Sequence, residues 1–239
     1  MKWNKTKLKY NMSKLIVIEG TDLSGKETQT NLLIERLKLE KNLIEKFGFP
    51  MYDTPTGKII GGSYLGKEHI SKGLFPEGAA NVDPKVAALY YAADRRYNAD
   101  KIRELLNNNI DVLLDRYVES NMGHQGGKLI TPKERLAMYK WLENLEYGLL
   151  ELPRPDLIIF LYMPCQYVKE LKKNREEAPD QHEANLEHLK NAEKAYLELA
   201  ELYGFCKVNC VENNKIRTKE DIHEEVYSLV KNRNNFKRQ

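Results

Sequence analysis

The sequence predicts an α/β fold: a five-stranded parallel sheet with helices on both faces, in three layers. Three observations carry that expectation. Five short, near-continuous apolar runs recur along the chain, as strands covered on both faces require. Longer stretches with helical spacing separate them, the alternation that builds crossover units. The 239 residues, 41% hydrophobic and 31% charged, suit one ordinary domain able to bury a sizeable core.

The runs are Leu15–Glu19, Leu43–Phe49, Ile110–Asp115, Leu157–Tyr162 and Phe205–Val211. A first helix is expected over Thr28–Leu39. A second covers Asp83–Asn108, where Asp83 can cap and Pro84 can take the first helical position. Pro132–Leu150 opens the same way, with Thr131 ahead of the proline and Glu134 behind it. Helices over Pro164–Asn174 and Glu183–Leu202 follow the fourth strand. Glu220–Arg233 closes the chain, with Lys231 and Arg233 in its last turns, where cations suit the helix dipole. No internal repeat or low-complexity linker interrupts the series.

The formal net charge is +3, and Lys2, Lys5, Lys7 and Lys9 account for more than all of it. Residues 1–12 therefore read as a disordered basic extension, and 13–239 as one domain. The near-neutral body lacks the basic stripe of a nucleic-acid binder. No apolar run approaches the roughly 18 residues of a membrane span, and the N-terminus lacks the apolar core of a secretory signal. A cytoplasmic location is the expectation. The cysteines, Cys165, Cys206 and Cys210, are too few for a disulfide framework. Cys206 and Cys210 sit in an apparent strand as small buried hydrophobes rather than as a metal pair.

The strongest local signal is VIEGTDLSGKETQT, residues 17–30. An apolar strand runs into Gly20, four residues follow, then Gly25 and Lys26, and a helix begins. In such a loop the backbone N–H groups, with Ser24 among them, cradle phosphates. The helix N-terminus adds partial positive charge, and Lys26 reaches the outer phosphate oxygens. The position after the lysine usually carries a hydroxyl for Mg²⁺. Here it is Glu27, with Thr28 next. Glu27 is either a metal ligand, directly or through water, or an acidic first-turn residue that suits the dipole.

Three more segments complete a pattern: YYAADRR (Tyr90–Arg96), DRYVESNMGHQGGK (Asp115–Lys128) and PDLIIFLYMP (Pro155–Pro164). With the glycine–lysine loop they resemble the ordered motifs of thymidylate kinases, from about Ser13 to about Lys231. The resemblance implies a P-loop NTPase-like fold. It also implies transfer of the terminal phosphoryl group of ATP, with Mg²⁺, onto dTMP to give dTDP for dTTP synthesis, and a homodimer. Lys26, Arg116, Asp22 and Arg175 become the catalytic candidates. Gly20, Ser24, Gly25, Lys26, Glu27, Thr28 and Lys173 would bind ATP, and Asp115 would stand near the metal with Glu27. For dTMP, Asp22 would accept from the 3′-hydroxyl, and Arg95 would grip the phosphate, ideally bidentately. Tyr91, with Tyr90 as its competitor one register away, would stack on thymine. Arg116 would contact the phosphoryl region and Tyr117 would lie under the deoxyribose. Ser120 and Gln125 would face the base from a loop in which Gly123, Gly126 and Gly127 let the backbone come close.

The chain departs from the family in several places. Leu23 stands where some members carry a catalytic arginine, so the cation is expected from a lid at about residues 172–184, from Arg175 with Lys173 helping. Met51 and Tyr52 replace an acid and an arginine. His124 replaces an aromatic residue, and it either packs on the base or sits half-exposed in its loop. Tyr162 stands in place of an acid, and the lid reads Asp180-Gln181-His182-Glu183. Two rivals stay open: a kinase of the same fold acting on another nucleotide or nucleoside, and a nucleotide-binding protein without catalysis.

Overall fold

The computed structural model describes residues 13–67, 69–167, 171 and 186–232. The expected tail at 1–12, the expected lid at 172–184 with Lys173 and Arg175, and Arg233 lie outside that set.

Strands β1 (Leu15–Gly20), β2 (Ile44–Gly48), β3 (Asp111–Asp115), β4 (Leu157–Tyr162) and β5 (Cys206–Asn209) form one parallel sheet in the order β2-β3-β1-β4-β5. Alternation along the strands divides the core. Leu15, Val17, Val112, Leu114 and Phe160 face one side, against Ile102, Met122, Met138, Tyr196 and Leu199. Ile16, Ile18, Leu113, Ile159 and Leu161 face the other, against Leu33, Leu37, Ile222 and Val226. The helices supplying the first set are α3 (Pro84–Asn107), α4 (Val118–Gly127), α5 (Pro132–Glu143) and α6 (Leu186–Leu202). Those of the second set are α1 (Lys26–Leu39) and α7 (Lys219–Lys231).

The expected caps are present. Asp83 accepts from the N–H groups of Lys85 and Val86 at 2.9 and 3.1 Å. Thr131 and Glu134 cap α5 reciprocally. Other boundaries moved. The helix begun at Pro132 leaves α geometry at Glu143 and continues as a π-helical stretch, Asn144–Leu149. A short helix, α2 (Pro55–Lys58), runs into a second π-helical stretch, Ile59–Tyr64, where no helix was expected. Directly after β4 come a 3₁₀ turn, Cys165–Tyr167, and the helical Leu171, while residues 168–170 and 172–174 of the helix expected over Pro164–Asn174 lie outside the described residues. The fifth strand ends at Asn209, short of the expected Val211. Val211–Glu212 instead pairs with Lys215–Ile216 in a hairpin (β6 and β7), whose turn residues Asn213 and Asn214 have φ of 50° and 60°. Cys206 and Cys210 both meet the α1/α7 core side and Cys210 is fully buried, as free thiols.

The largest correction concerns Ser120–Gln125, which is helix α4 and not a loop. Three glycines gave the segment poor intrinsic helix propensity. Packing overrides it. A Cβ at Gly123 would stand 2.6 Å from the Tyr196 ring, and one at Gly126 would stand 2.4 Å from that of Tyr139. These glycines admit neighbouring side chains rather than a ligand. Gly123→Ala should therefore lower stability by about 1–3 kcal/mol, read as a shifted urea midpoint at constant slope. An unshifted midpoint would mean that α4 and α6 have slack between them.

Candidate active site

The loop between β1 and α1 sits at the carboxyl ends of the strands, the rim where open parallel sheets bind ligands. Its shape is tightly specified. A Cβ on Gly20 would meet Ser24 Oγ at 2.4 Å and the Leu161 carbonyl at 2.7 Å, and Gly25 has φ of 81°. Leu23 also has positive φ, 61°, and packs on Cys165 and Leu189. Lys26 is buried and donates to the carbonyls of Gly20 and Thr21 at 3.1 and 2.8 Å. Burial, with Arg116 nearby, pulls its pKa down to about 8. Glu27 and Thr28 project to solvent from the first turn of α1, and Asp115 closes β3 within electrostatic reach of Lys26.

Arg116 follows Asp115 with φ of 68°, a left-handed turn uncommon outside glycine. It brings the guanidinium to Asp22, Nη2 to Oδ1 at 2.9 Å. Burial works against the charge on Asp22, but the surrounding cations, Arg116 and Lys26 among them, outweigh it and hold the carboxyl well below the usual range. The strand also delivers a residue the sequence reading passed over. Glu19 is fully buried, and its Oε1 accepts from the N–H groups of Tyr117 and Ser120 at 2.8 and 3.0 Å. Its Oε2 accepts from Ser120 Oγ at 2.7 Å and from the Tyr196 hydroxyl at 3.2 Å. Burial pushes its pKa up, opposed by Arg116 and these donors. The available signal was an acid ending an otherwise apolar strand.

Beside the loop lies a cavity of about 190 Å³ whose wall includes Asp22, Tyr91, Arg95, Arg116, Tyr117, Ser120 and Gln125. All the expected acceptor residues thus meet at one place. Tyr91 reaches it, edge-on to Tyr64 at 5.7 Å, whereas Tyr90, off the cavity wall, stacks on Tyr64 and meets Phe75 edge-on. Tyr117 is 1% exposed and donates its hydroxyl to the Pro153 carbonyl at 3.1 Å. Ser120 gives its hydroxyl to Glu19, so the side chain serves the scaffold. Gln125 is fully buried, and neither end of its amide has a partner among the described residues. The same holds for Asn121 Oδ1 beside it on the wall.

Arg95 is held from within the protein. Its Nε and Nη2 form a two-pronged ion pair with Glu146, and Nη1 donates to the Tyr117 carbonyl at 3.2 Å. Glu146 also accepts from Asn121 Nδ2 at 2.9 Å. One forked edge of Arg95, Nε with Nη2, is thus committed to Glu146, which leaves one N–H on Nη1 and one on Nη2 beyond these bonds. His124 lies on α4, stacked on His188 of α6 at 5.5 Å and edge-on to Tyr196. No sequence signal had singled out Glu146 or His188.

No group of three His, Cys, Asp or Glu side chains among the described residues could cage a metal. Mg²⁺ needs none, because one or two carboxylates plus phosphates and water suffice. The donors Glu27 and Asp115, at the loop and the adjacent strand end, fit that chemistry.

The stacked imidazoles make stability depend on pH. Burial lowers the pKa of His124 to about 3 and that of His188 to about 4, from 6.5. The unfolded chain therefore binds more protons between those values, and stability rises with pH there. The contribution is complete above about pH 6.5 and is lost as pH falls toward 4 and 3. The melting temperature should fall from pH 7 to pH 4 in the wild type and fall less in His188→Gln. Identical acid limbs would exclude the pair as their source.

Comparison with known proteins agrees with this geometry. A family profile described as thymidylate kinase matches residues 18–226. A thymidylate kinase from Schizosaccharomyces pombe is 30% identical over 95% of each chain, and one from Plasmodium falciparum is 28% identical over 91% of this chain and 89% of its own. The solved structure of a Candida albicans thymidylate kinase shares the fold, with a TM-score of 0.71 and 24% identity over 92% of both chains. A profile match across most of the chain, with a relative of the same family aligned over 95% of its length, establishes that this chain belongs to the thymidylate kinase family of phosphotransferases.

Proposed function

We propose that the site transfers the γ-phosphoryl group of ATP in line to the 5′-phosphate of dTMP, giving ADP and dTDP. The observation that supports this most is the unpartnered amide of Gln125 in the acceptor cavity, with Asn121 Oδ1 beside it. A buried donor and acceptor side by side cost free energy unless a ligand satisfies them. The edge of thymine offers the complement, a ring N–H flanked by carbonyls.

The roles follow from position. The N–H groups of the loop (Gly20, Ser24, Gly25) and Lys26, with Thr28 beyond, bind the ATP phosphates. Glu27 and Asp115 would hold the Mg²⁺ that accompanies ATP, and the ion would supply positive charge against the ATP phosphates. Asp22, ionised at neutral pH, accepts from the 3′-hydroxyl of dTMP. Arg116 balances charge spreading over the transferred group. Tyr91 stacks on the base, Tyr117 and Ser120 bound the cavity, and the N–H groups of Arg95 not held by Glu146 face dTMP. Leu23 carries no charge, so a cation from the lid, Arg175 with Lys173, completes the set. Lid closure keeps water from taking the phosphoryl group. No helix among the described residues is long and apolar enough to cross a membrane. A homodimer working in the cytoplasm completes the reading.

A coupled ADP-release assay with dTMP, dUMP, dCMP and thymidine tests it. dTMP should be the best acceptor, and Gln125→Ala should lower kcat/KM for dTMP by about 10- to 100-fold. Equal turnover of dCMP, or no ADP with any acceptor, would contradict the reading.

A further inference from the structure

We infer that Lys67 is a cationic grip on the acceptor phosphate; this rests on the dTMP reading above. Three side chains bring a full positive charge to the acceptor cavity wall: Lys67, Arg95 and Arg116. Two of them are already neutralised. Arg95 is paired with Glu146, and Arg116 with Asp22. Lys67 is the one with no carboxylate partner among the described residues. Its Nζ instead rests over the Tyr52 ring, 4.8 Å from the centroid.

That placement suits a phosphate. The Phe49 N–H donates to the Asp115 carbonyl at 2.9 Å, so the Phe49–Tyr52 segment runs off β2 directly beside the strand end that carries Arg116. The Phe49–Pro50 peptide is cis, and Phe49, Pro50 and Tyr52 all line the cavity. The backbone of Lys67 is fixed, its N–H donating to the Gly61 carbonyl at 2.8 Å, while its stem is only half-buried. An ammonium held by a ring face alone is retained weakly at such a site, and a doubly charged phosphate outcompetes the ring. Lys67 therefore leaves Tyr52 for the acceptor phosphate when dTMP binds. It acts by binding and orientation, while the transfer itself stays with the loop and Arg116.

The test compares two ligands that differ by the phosphate alone. Calorimetry of dTMP and thymidine binding should show Lys67→Met weakening dTMP by about 10- to 100-fold, with thymidine within about twofold of wild type. Lys67→Arg should restore most of the dTMP affinity. In steady state KM for dTMP should rise while KM for ATP stays within about twofold. Equal losses for both ligands, or no loss for either, would overturn the assignment. Thymidine binding also reports that the variant is folded. A wild-type protein that binds neither ligand would defeat the dTMP reading itself, and this inference with it.

Discussion

The site depends on one buried carboxylate. Glu19 is the penultimate residue of β1, the central strand, just before Gly20 where the phosphate loop begins. Its two oxygens take four donors from Tyr117, Ser120 and Tyr196. Two of those donors are backbone N–H groups at the start of α4, a helix end with no side-chain cap of its own. Glu19 therefore does for α4 what a capping residue does elsewhere, but from a different strand. The phosphate loop and the acceptor wall are thereby held in one register, with α6 tied in through Tyr196.

Around that anchor the charges are arranged in answering pairs. Asp22 answers Arg116, Glu146 answers Arg95, and Lys26 is held by carbonyls of its own loop. On the proposed reading two anionic nucleotides meet here, so cations are indispensable, yet unpaired buried cations would be costly. Pairing keeps each guanidinium charged and aimed before substrates arrive, which is electrostatic preorganisation. Left-handed backbone at Leu23 and Arg116 concentrates strain in the same small region, as functional sites commonly do.

Most of this framework was legible in the sequence. Strand residues alternate between two cores because both faces are covered, and that is written as apolar runs. Leu157–Tyr162 matched to the residue. The loop was legible because glycine spacing and a lysine leave few alternatives. What escaped was whatever depends on partners distant in sequence. α4 was hidden because its glycines lower local helix propensity, while Tyr139 and Tyr196, which need that space, lie elsewhere in the chain. The commitment of Arg95 to Glu146, 51 residues away, could not be seen in either neighbourhood. Lys67 and His188 carry no motif, and only folding brings them to the cavity and its rim.

The role of Glu19 can be measured with one substitution that keeps its shape. Glu19→Gln sets an amide N–H₂ against donors that need an acceptor. Denaturation and equilibrium binding on that variant should show stability lower by about 1–3 kcal/mol, with dTMP and ATP affinities falling together because both sites share the anchor. A variant with wild-type stability and unchanged affinity for both nucleotides would show that loop and acceptor wall are held together by something else.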